Sequence, residues 1–358
     1  MKKTLVAAVL SALLAGWLFA CVQGWVVPRR STQQGLRIGF VLSTMQEERY
    51  QKDRAAFDQR VRDLGGTMVF NDAKNDGQIQ VQVVQEILAR GVTVMVIQPV
   101  NSDTAKNLVD LCHQRNVPVI AYDRVIKNCP LDMYVTMDSY KVGMLQAQAA
   151  VKATGGRGRY VILKGTVGHS VADEITRGVK DVLKNYPDVQ IVAEQNHPNW
   201  APDEGLVTTE NVLTREQNKV DAILCNNSGM ARGAIQALRK VGLEGKVFVA
   251  GADADLDNVR YVLQGVQSVE VLKGVVPLAQ AAADAAVALA KGANPLELAK
   301  QFAGPAAAND PKLYTYNNGA VEVPTINTAV ELVTKDNVEK VIIESGFHPR
   351  SEFEGLLK

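Results

Sequence analysis

The 358-residue chain has almost no net charge, and its cysteines are few. Its 39 basic and 38 acidic residues leave a formal charge of +1, which argues against a nucleic-acid partner because such proteins present a basic face. Four cysteines stand far apart without a C-x-x-C pair, so neither a structural zinc site nor a dense disulfide framework is predicted. The spacing leaves open whether Cys112 and Cys129 pair.

Catalytic and cofactor motifs are missing as well. The sequence has no G-x-x-x-x-G-K-[ST] loop, no G-x-S-x-G elbow and no H-E-x-x-H, and its four histidines are scattered. The first predicted strand runs into STMQEERY, without the glycine-rich turn that a dinucleotide fold requires. Two segments imitate calcium loops, but Asn258 replaces the required glycine in one and Lys74 occupies a ligand position in the other. We therefore expect no enzyme activity, no cofactor and no metal.

The N-terminus has the pattern of an export signal. Lys2 and Lys3 precede an apolar stretch over residues 4–20, which ends at Cys21. The Leu-Phe-Ala-Cys end resembles the lipobox of bacterial lipoproteins, in which Cys21 becomes the lipidated N-terminus, while an ordinary cleaved signal or an uncleaved anchor also fits. Residues 1–21 are thus a signal or lipoprotein segment and residues 22–35 a tether. Each alternative places the folded body outside the cytoplasm.

From residue 36 onward, β-branched runs alternate with amphipathic stretches, which is typical of parallel sheets with right-handed crossovers. At this length two lobes are expected. The first helix is predicted to begin with a capping box formed by Thr44 and Glu47 and to end at Gly65-Gly66. Ten runs predict strands, at residues 37–43, 67–72, 92–100, 117–123, 133–138, 159–165, 189–195, 220–227, 246–253 and 269–274.

Polar residues end several of these strands. In open α/β sheets the ligand crevice lies beyond the carboxyl ends of the strands. Each such residue alone is explained by a turn or a helix cap, but together with Arg49 in the first helix they predict a polar site. Arginine and carboxylate pairs suit a polyhydroxylated ligand, and Tyr50 and Trp200 offer rings for the apolar face of a sugar, with ordinary packing as the alternative. The strand-end residues are Asp123, Arg124, Asp138, Asn226, Asn227, Asp253 and Lys273.

With these residues in view, the chain resembles the periplasmic sugar-binding proteins of ABC transporters, type I fold, and within them the D-xylose-binding group. The resemblance covers residues 37 to about 354 and is carried by ERYQKDRAAF, VIAYDRVI, KVGMLQAQA, GAIQAL and GADADL. It implies an α/β fold of two Rossmann-like lobes joined by three hinge crossings. The N-terminal lobe would comprise residues 36–138 and about 268–316, and the C-terminal lobe residues 139–267 and about 317–358.

The resemblance also implies which residues bind the sugar. Arg49 would hold hydroxyl groups and Tyr50 would stack on the ring. In GTVGHSVADE the family tends to carry Asn and Asp where this chain has His169 and Ser170. The implied sugar-binding residues are Arg49, Tyr50, Asp123, Arg124, His169, Trp200, Asn227, Asp253 and Lys273.

The predicted function is a periplasmic or cell-surface binding protein that captures a monosaccharide, xylose or glucose and related aldoses, and delivers it to an ABC permease. A monomer is expected, attached to the membrane through its N-terminal segment. The alternative is a sugar-sensing module for a chemoreceptor or a sensor kinase. A transcription repressor of the same fold is disfavoured, since the export signal occupies the place of a DNA-binding domain.

Overall fold

The computed structural model describes residues 35–305 and 310–357. The main compact unit spans Leu36–Lys358. The predicted export signal, the tether and Cys21 lie outside the described residues. Within the described ranges, no helix has both the length and the apolar character needed to cross a membrane.

Strands and helices alternate through the first part of this unit, as the sequence predicts. Its elements are β1 (Arg37–Leu42), α1 (Glu48–Asp63), β2 (Thr67–Asp72), α2 (Gly77–Ala89), β3 (Val94–Ile97), α3 (Lys106–His113), β4 (Val119–Tyr122), β5 (Met133–Met137) and α4 (Ser139–Thr154).

The alternation continues to residue 303, after which the strands follow one another closely. The remaining elements are β6 (Gly158–Lys164), α5 (Ser170–Leu183), β7 (Val189–Asn196), α6 (Pro202–Arg215), β8 (Ala222–Cys225), α7 (Ser228–Lys240), β9 (Phe248–Ala250), α8 (Leu256–Gln264), β10 (Glu270–Lys273), α9 (Val275–Ala290), α10 (Pro295–Ala303), β11 (Thr315–Asn317), β12 (Glu322–Thr328) and β13 (Val330–Val333).

Two main sheets organise these elements. The first has seven strands in the order β11-β12-β5-β4-β3-β1-β2, all parallel to their neighbours except β11 at the edge. The second has four parallel strands in the order β7-β6-β8-β9. A separate antiparallel pair, β10 and β13, adjoins the second sheet through a bridge between Ala250 and Val269.

The chain passes between the two sheets three times. Helix α4 follows β5 of the first sheet but packs on the second, and α9 follows β10 but packs on α1 and the first sheet. The third passage leads from β12 directly to β13. A single residue separates the flanking elements at each passage, namely Asp138, Gly274 and Ala329.

All ten predicted strands are present, but the assignment of the C-terminal region needs correction. Strand β12 pairs in parallel with β5, with Thr325 opposite Tyr134. The prediction that residues 317–358 belong entirely to the C-terminal lobe is therefore wrong for this strand. Its backbone hydrogen bonds complete the seven-stranded sheet instead.

Helix α1 buries the predicted apolar face, and its start differs from the prediction. Tyr50, Phe57 and Val61 are buried, and the Phe57 ring stacks on Phe40 with centroids 4.2 Å apart. The helix begins at Glu48 without a side-chain cap at Glu47, so the predicted capping box does not form. Glu47 instead lines a cavity next to Arg49 and Arg124.

Candidate functional site

A small cavity lies where the carboxyl edges of the two sheets face each other. Seven of the nine predicted sugar-binding residues line it. They come from α1, from the segment after β4, from the β7–α6 loop and from the ends of β9 and β10. The full lining is Glu47, Arg49, Tyr50, Asp123, Arg124, Val171, Trp200, Asp253 and Lys273.

Arg49 connects carboxylates from both sides of the cavity. Its Nε lies 3.3 Å from Asp53 Oδ2 and its Nη2 lies 3.2 Å from Asp123 Oδ1, both on the first side. Its Nη1 lies 3.7 Å from Asp253 Oδ1, which follows β9 of the second sheet. Burial opposes ionisation of Asp123, but Arg49, Lys273 and other basic neighbours outweigh it and lower the pKa of that carboxyl. Asp123 is therefore an ionised acceptor.

Arg124 is held in place by three oxygen atoms of the first side. Its Nη1 donates to Ser43 Oγ and to the Pro99 carbonyl, and its Nη2 donates to the Tyr50 hydroxyl, each at 3.2 Å. Gln98 Nε2 also donates to the Tyr50 hydroxyl, at 3.3 Å. These three hydrogen bonds hold the guanidinium fork in one orientation, which is the geometry that favours directional recognition of oxygen atoms.

On the second side, Asp253 and Lys273 form a buried ion pair. Lys273 Nζ lies 2.7 Å from Asp253 Oδ1, and both side chains are under 10% exposed. Asp253 and the next residue, Ala254, have positive φ angles of 104° and 58°, which non-glycine residues rarely adopt. Glu270 stabilises this turn, because its carboxylate accepts the Ala254 N–H at 3.1 Å. The turn directs the Asp253 carboxylate into the cavity.

Trp200 forms an aromatic wall of the cavity, and two residues predicted as sugar contacts hydrogen-bond to Trp200 instead. The indole Nε1 donates to His169 Nδ1 at 2.9 Å, and Asn227 Nδ2 donates to the Trp200 carbonyl at 3.1 Å. Gly165 makes room for the ring, since a Cβ at that position would lie 2.0 Å from it. His169 and Asn227 do not line this cavity. Asn227 caps α7 and lines a neighbouring crevice together with Trp200 and Asp253.

Other strand-end residues have structural roles. Asp138 caps helix α4 by accepting from the Lys141 N–H at 2.9 Å, as the alternative of a helix cap predicts. Asn226 Oδ1 accepts from the Gly165 N–H at 3.1 Å. Cys112 and Cys129 are both free thiols, so no disulfide joins them in this structure.

Sequence reasoning missed several residues of the site. Gln98 ends β3 and holds Asp123 through a 2.9 Å hydrogen bond, so the strand-end rule that found Asp123 would also have found it. Asp53 lies one turn after Arg49 on α1. Burial raises the pKa of Asp53 to about 6, although Arg49 and a hydrogen bond from the Tyr122 hydroxyl oppose this shift. Val171 carries no sequence signal, because only tertiary packing brings it to the cavity.

These groups can bind a small polar molecule, and nothing in their arrangement activates a nucleophile. Arginine and lysine donors alternate with carboxylate acceptors, which matches a ligand that has both hydroxyl donors and hydroxyl acceptors. Among residues 35–305 and 310–357, no cluster of His, Cys, Asp and Glu has the arrangement of a metal site. His169 is a poor general base, since burial and the adjacent Arg124 lower its pKa to about 2.

Comparison with known proteins agrees with this fold. A family model described as "Periplasmic binding protein domain" matches residues 38–294. The chain therefore belongs to the periplasmic binding protein family. The type I fold that the sequence resemblance implies, with two α/β sheets linked by three chain passages, is confirmed.

Within this family the chain is similar to sugar-binding members. It is 35% identical over 321 residues to the D-xylose-binding periplasmic protein of Escherichia coli strain K12, covering 88% of this chain and 92% of that protein. A carbohydrate transporter solute binding protein from Chloroflexus aurantiacus, in complex with D-glucose, is 27% identical with a TM-score of 0.78, covering 90% and 99%. An ABC transporter solute binding protein from Clostridium phytofermentans with bound β-D-glucose is 25% identical with a TM-score of 0.76, covering 89% and 100%. The predicted resemblance to the D-xylose-binding group is confirmed.

Proposed function

We propose that the chain is an extracytoplasmic binding protein that captures a monosaccharide and delivers it to an ABC sugar permease. The observation that carries this proposal is the polar cavity, whose arginine, lysine, carboxylate and tryptophan groups come from the carboxyl edges of two sheets. Relatives named for D-xylose, and structures bound to D-glucose, support xylose or glucose and related aldoses as the ligand class.

Capture would depend on closure of two lobes around the sugar. The first lobe would contain the seven-stranded sheet and the second lobe the four-stranded sheet, each with its helices. Arg49 from the first and Asp253 from the second approach each other across the cavity. A sugar that contacts both would favour the closed form, because only that form allows both sets of contacts. The direct contacts would be Arg49, Tyr50, Asp123, Arg124, Trp200, Asp253 and Lys273, with His169 and Asn227 supporting Trp200.

A thermal-shift panel of pentoses and hexoses on protein lacking residues 1–30 tests this function. A sugar present at 100 times its Kd should stabilise the folded state by about 2.7 kcal/mol. We expect D-xylose or D-glucose to raise Tm, and calorimetry should then give one site per chain. If no aldose raises Tm, the cavity has another ligand class.

A sensing role is the second candidate, and one relative favours it. The chain is 27% identical over 345 residues to a protein of Rhizobium radiobacter described as a multiple sugar-binding periplasmic receptor. Uptake of radiolabelled sugar separates the two roles. If the protein serves a permease, deletion of its gene should abolish uptake of the sugar. Unchanged uptake together with loss of a sugar response would support the receptor instead. Either role fits a monomer, which is the state we propose.

We further propose that the protein is held at the membrane by lipid on Cys21. The support is the lipobox-like end of the signal segment. Cys21→Ser should release a soluble protein and abolish labelling by a radioactive fatty acid. Labelling of the variant at the level of the parent would exclude Cys21 as the lipidated residue.

A further inference from the structure

His169 sits in a contact between the two sides of the cavity. It directly precedes α5, and its side chain is nearly fully buried, with 2% exposed. Its neighbours dock onto loops of the first side, since the Ser102 N–H donates to the Gly168 carbonyl at 2.9 Å and the Val125 N–H donates to Ser170 Oγ at 3.1 Å. Residues 168–170 therefore form one contact, with His169 at its centre.

The hydrogen bonds of the imidazole determine its protonation state. An indole N–H can only donate, so Trp200 Nε1 at 2.9 Å requires His169 Nδ1 to be unprotonated. The single hydrogen of a neutral ring must then lie on Nε2. The contact of Arg124 Nη1 with Nε2, at 3.4 Å, brings together two donors and is not a hydrogen bond in this tautomer. His169 fits this site only as the neutral ring.

Charge around the ring also opposes a second proton. Arg124 is the nearest ionised group, and Asp123 beside it favours protonation more weakly. Trp200 and Val100 present neutral groups. A proton on Nδ1 would face the Trp200 N–H and would place a second positive charge next to Arg124. Burial and Arg124 accordingly lower the pKa of His169 to about 2 in this closed arrangement.

We propose that His169 is a positioning residue that joins Trp200 to the first side of the site only when its ring is neutral, so that closure around the ligand releases the proton of His169. This inference rests on the proposed function, because it needs a sugar that drives closure. In an open form in which the lobes separate, His169 would leave Arg124 and would face water, where an imidazole has a pKa of about 6.5. Binding and deprotonation are then linked.

The linkage has a definite sign and size. The closed form binds fewer protons than the open form. The affinity for sugar is therefore highest well above pH 6.5, and it falls as the pH drops below that value. With an open-form pKa of about 6.5, the Kd at pH 5.0 should be about 30-fold higher than at pH 8.0. At pH 6.0, closure should release about 0.8 proton per sugar bound. Glu47 and Asp53 have raised pKa values and would shift affinity in the opposite direction, which makes a non-titrating variant necessary.

Titration calorimetry with D-xylose, and with D-glucose as the second probe, tests the proposal. Measurements at pH 6.0 in two buffers of different ionisation enthalpy count the protons released. We expect sugar binding by the His169→Asn variant to release about 0.8 proton fewer than binding by the parent. The variant should also lack the corresponding rise in Kd from pH 8.0 to pH 5.0. His113→Gln is the control, since that ring is half-exposed beside Asp132 on the first side and should keep the parent's profile.

The outcomes separate this inference from the function on which it rests. If neither the parent nor the variant binds an aldose at any pH, the proposed function fails. If the parent binds and His169→Asn releases as many protons as the parent, His169 is not the group that titrates and the inference is overturned. Equal release is informative even when the variant binds more weakly, because the proton count is independent of affinity.

Discussion

Replacing Arg124 by methionine should weaken sugar binding more than a loss of packing would. Three of the five N–H groups of the Arg124 guanidinium donate to Ser43, Pro99 and Tyr50, each at 3.2 Å. In the described part of the chain, the Nε–H and one Nη2–H have no acceptor, so two donors remain for sugar oxygens. Two charge-assisted hydrogen bonds contribute about 3–4 kcal/mol, so Arg124→Met should raise the Kd roughly 150- to 900-fold.

Calorimetry with D-xylose and D-glucose measures this effect, after circular dichroism has established that the variant is folded. Arg124→Lys keeps the charge but loses the planar fork, and its Kd should lie between those of the parent and Arg124→Met. Arg54→Met is the matched control, because Arg54 is exposed on α1 and stacks over Phe70 away from the cavity. A folded Arg124→Met that binds within threefold of the parent would refute the placement of the site.

Three further changes test other parts of the site. Trp200→Ala removes the aromatic wall and should weaken sugar binding by about 2 kcal/mol or more. An affinity within twofold of the parent would show that Trp200 is not a central sugar contact. Asp253→Asn keeps the shape but removes the charge between Lys273 and Arg49, and calorimetry should show a loss of about 2–4 kcal/mol; parental affinity would remove Asp253 from the site. Burial raises the pKa of Glu270 from 4.5 to about 8. The contribution of this proton to the free energy of unfolding is therefore fully present below pH 4.5 and is lost as the pH rises through 8. Glu270→Gln should flatten the urea-unfolding profile between pH 5 and pH 9, and an equally steep profile would contradict this reasoning.

The early strands could be predicted because their sequences are buried apolar runs. The strands VMVI and VIAY, in β3 and β4, lie at the centre of the first sheet with all their residues buried. The last strands have no such pattern. Strand β12 contains Pro324 and mixes exposed and buried positions, and its place beside β5 depends on a partner 191 residues earlier in the chain, as in the pair Thr325 and Tyr134. Local sequence carries no information about that pairing.

The site was predictable where it depends on strand ends and not where it depends on packing. The strand-end rule pointed to Asp123 and Lys273 because topology alone brings those positions to one edge. His169 and Asn227 were predicted as contacts, but His169 hydrogen-bonds the Trp200 indole, Asn227 hydrogen-bonds the Trp200 carbonyl, and neither lines the cavity. Glu47 was missed because S/T-x-x-E spacing also predicts a helix cap. Its position beside Arg124 and Arg49 depends on the tertiary structure.

The three one-residue passages at Asp138, Gly274 and Ala329 restrict how the two halves of the molecule can move. A body that is attached to another by three such short links cannot slide or spin freely. A hinge rotation through the links is the main motion that remains. Covalent geometry would therefore return Trp200 and Asp253 to the same positions opposite Arg49 on every cycle. The ligand would set the fraction of molecules that are closed, while the links would set the relative position of the two halves in the closed form.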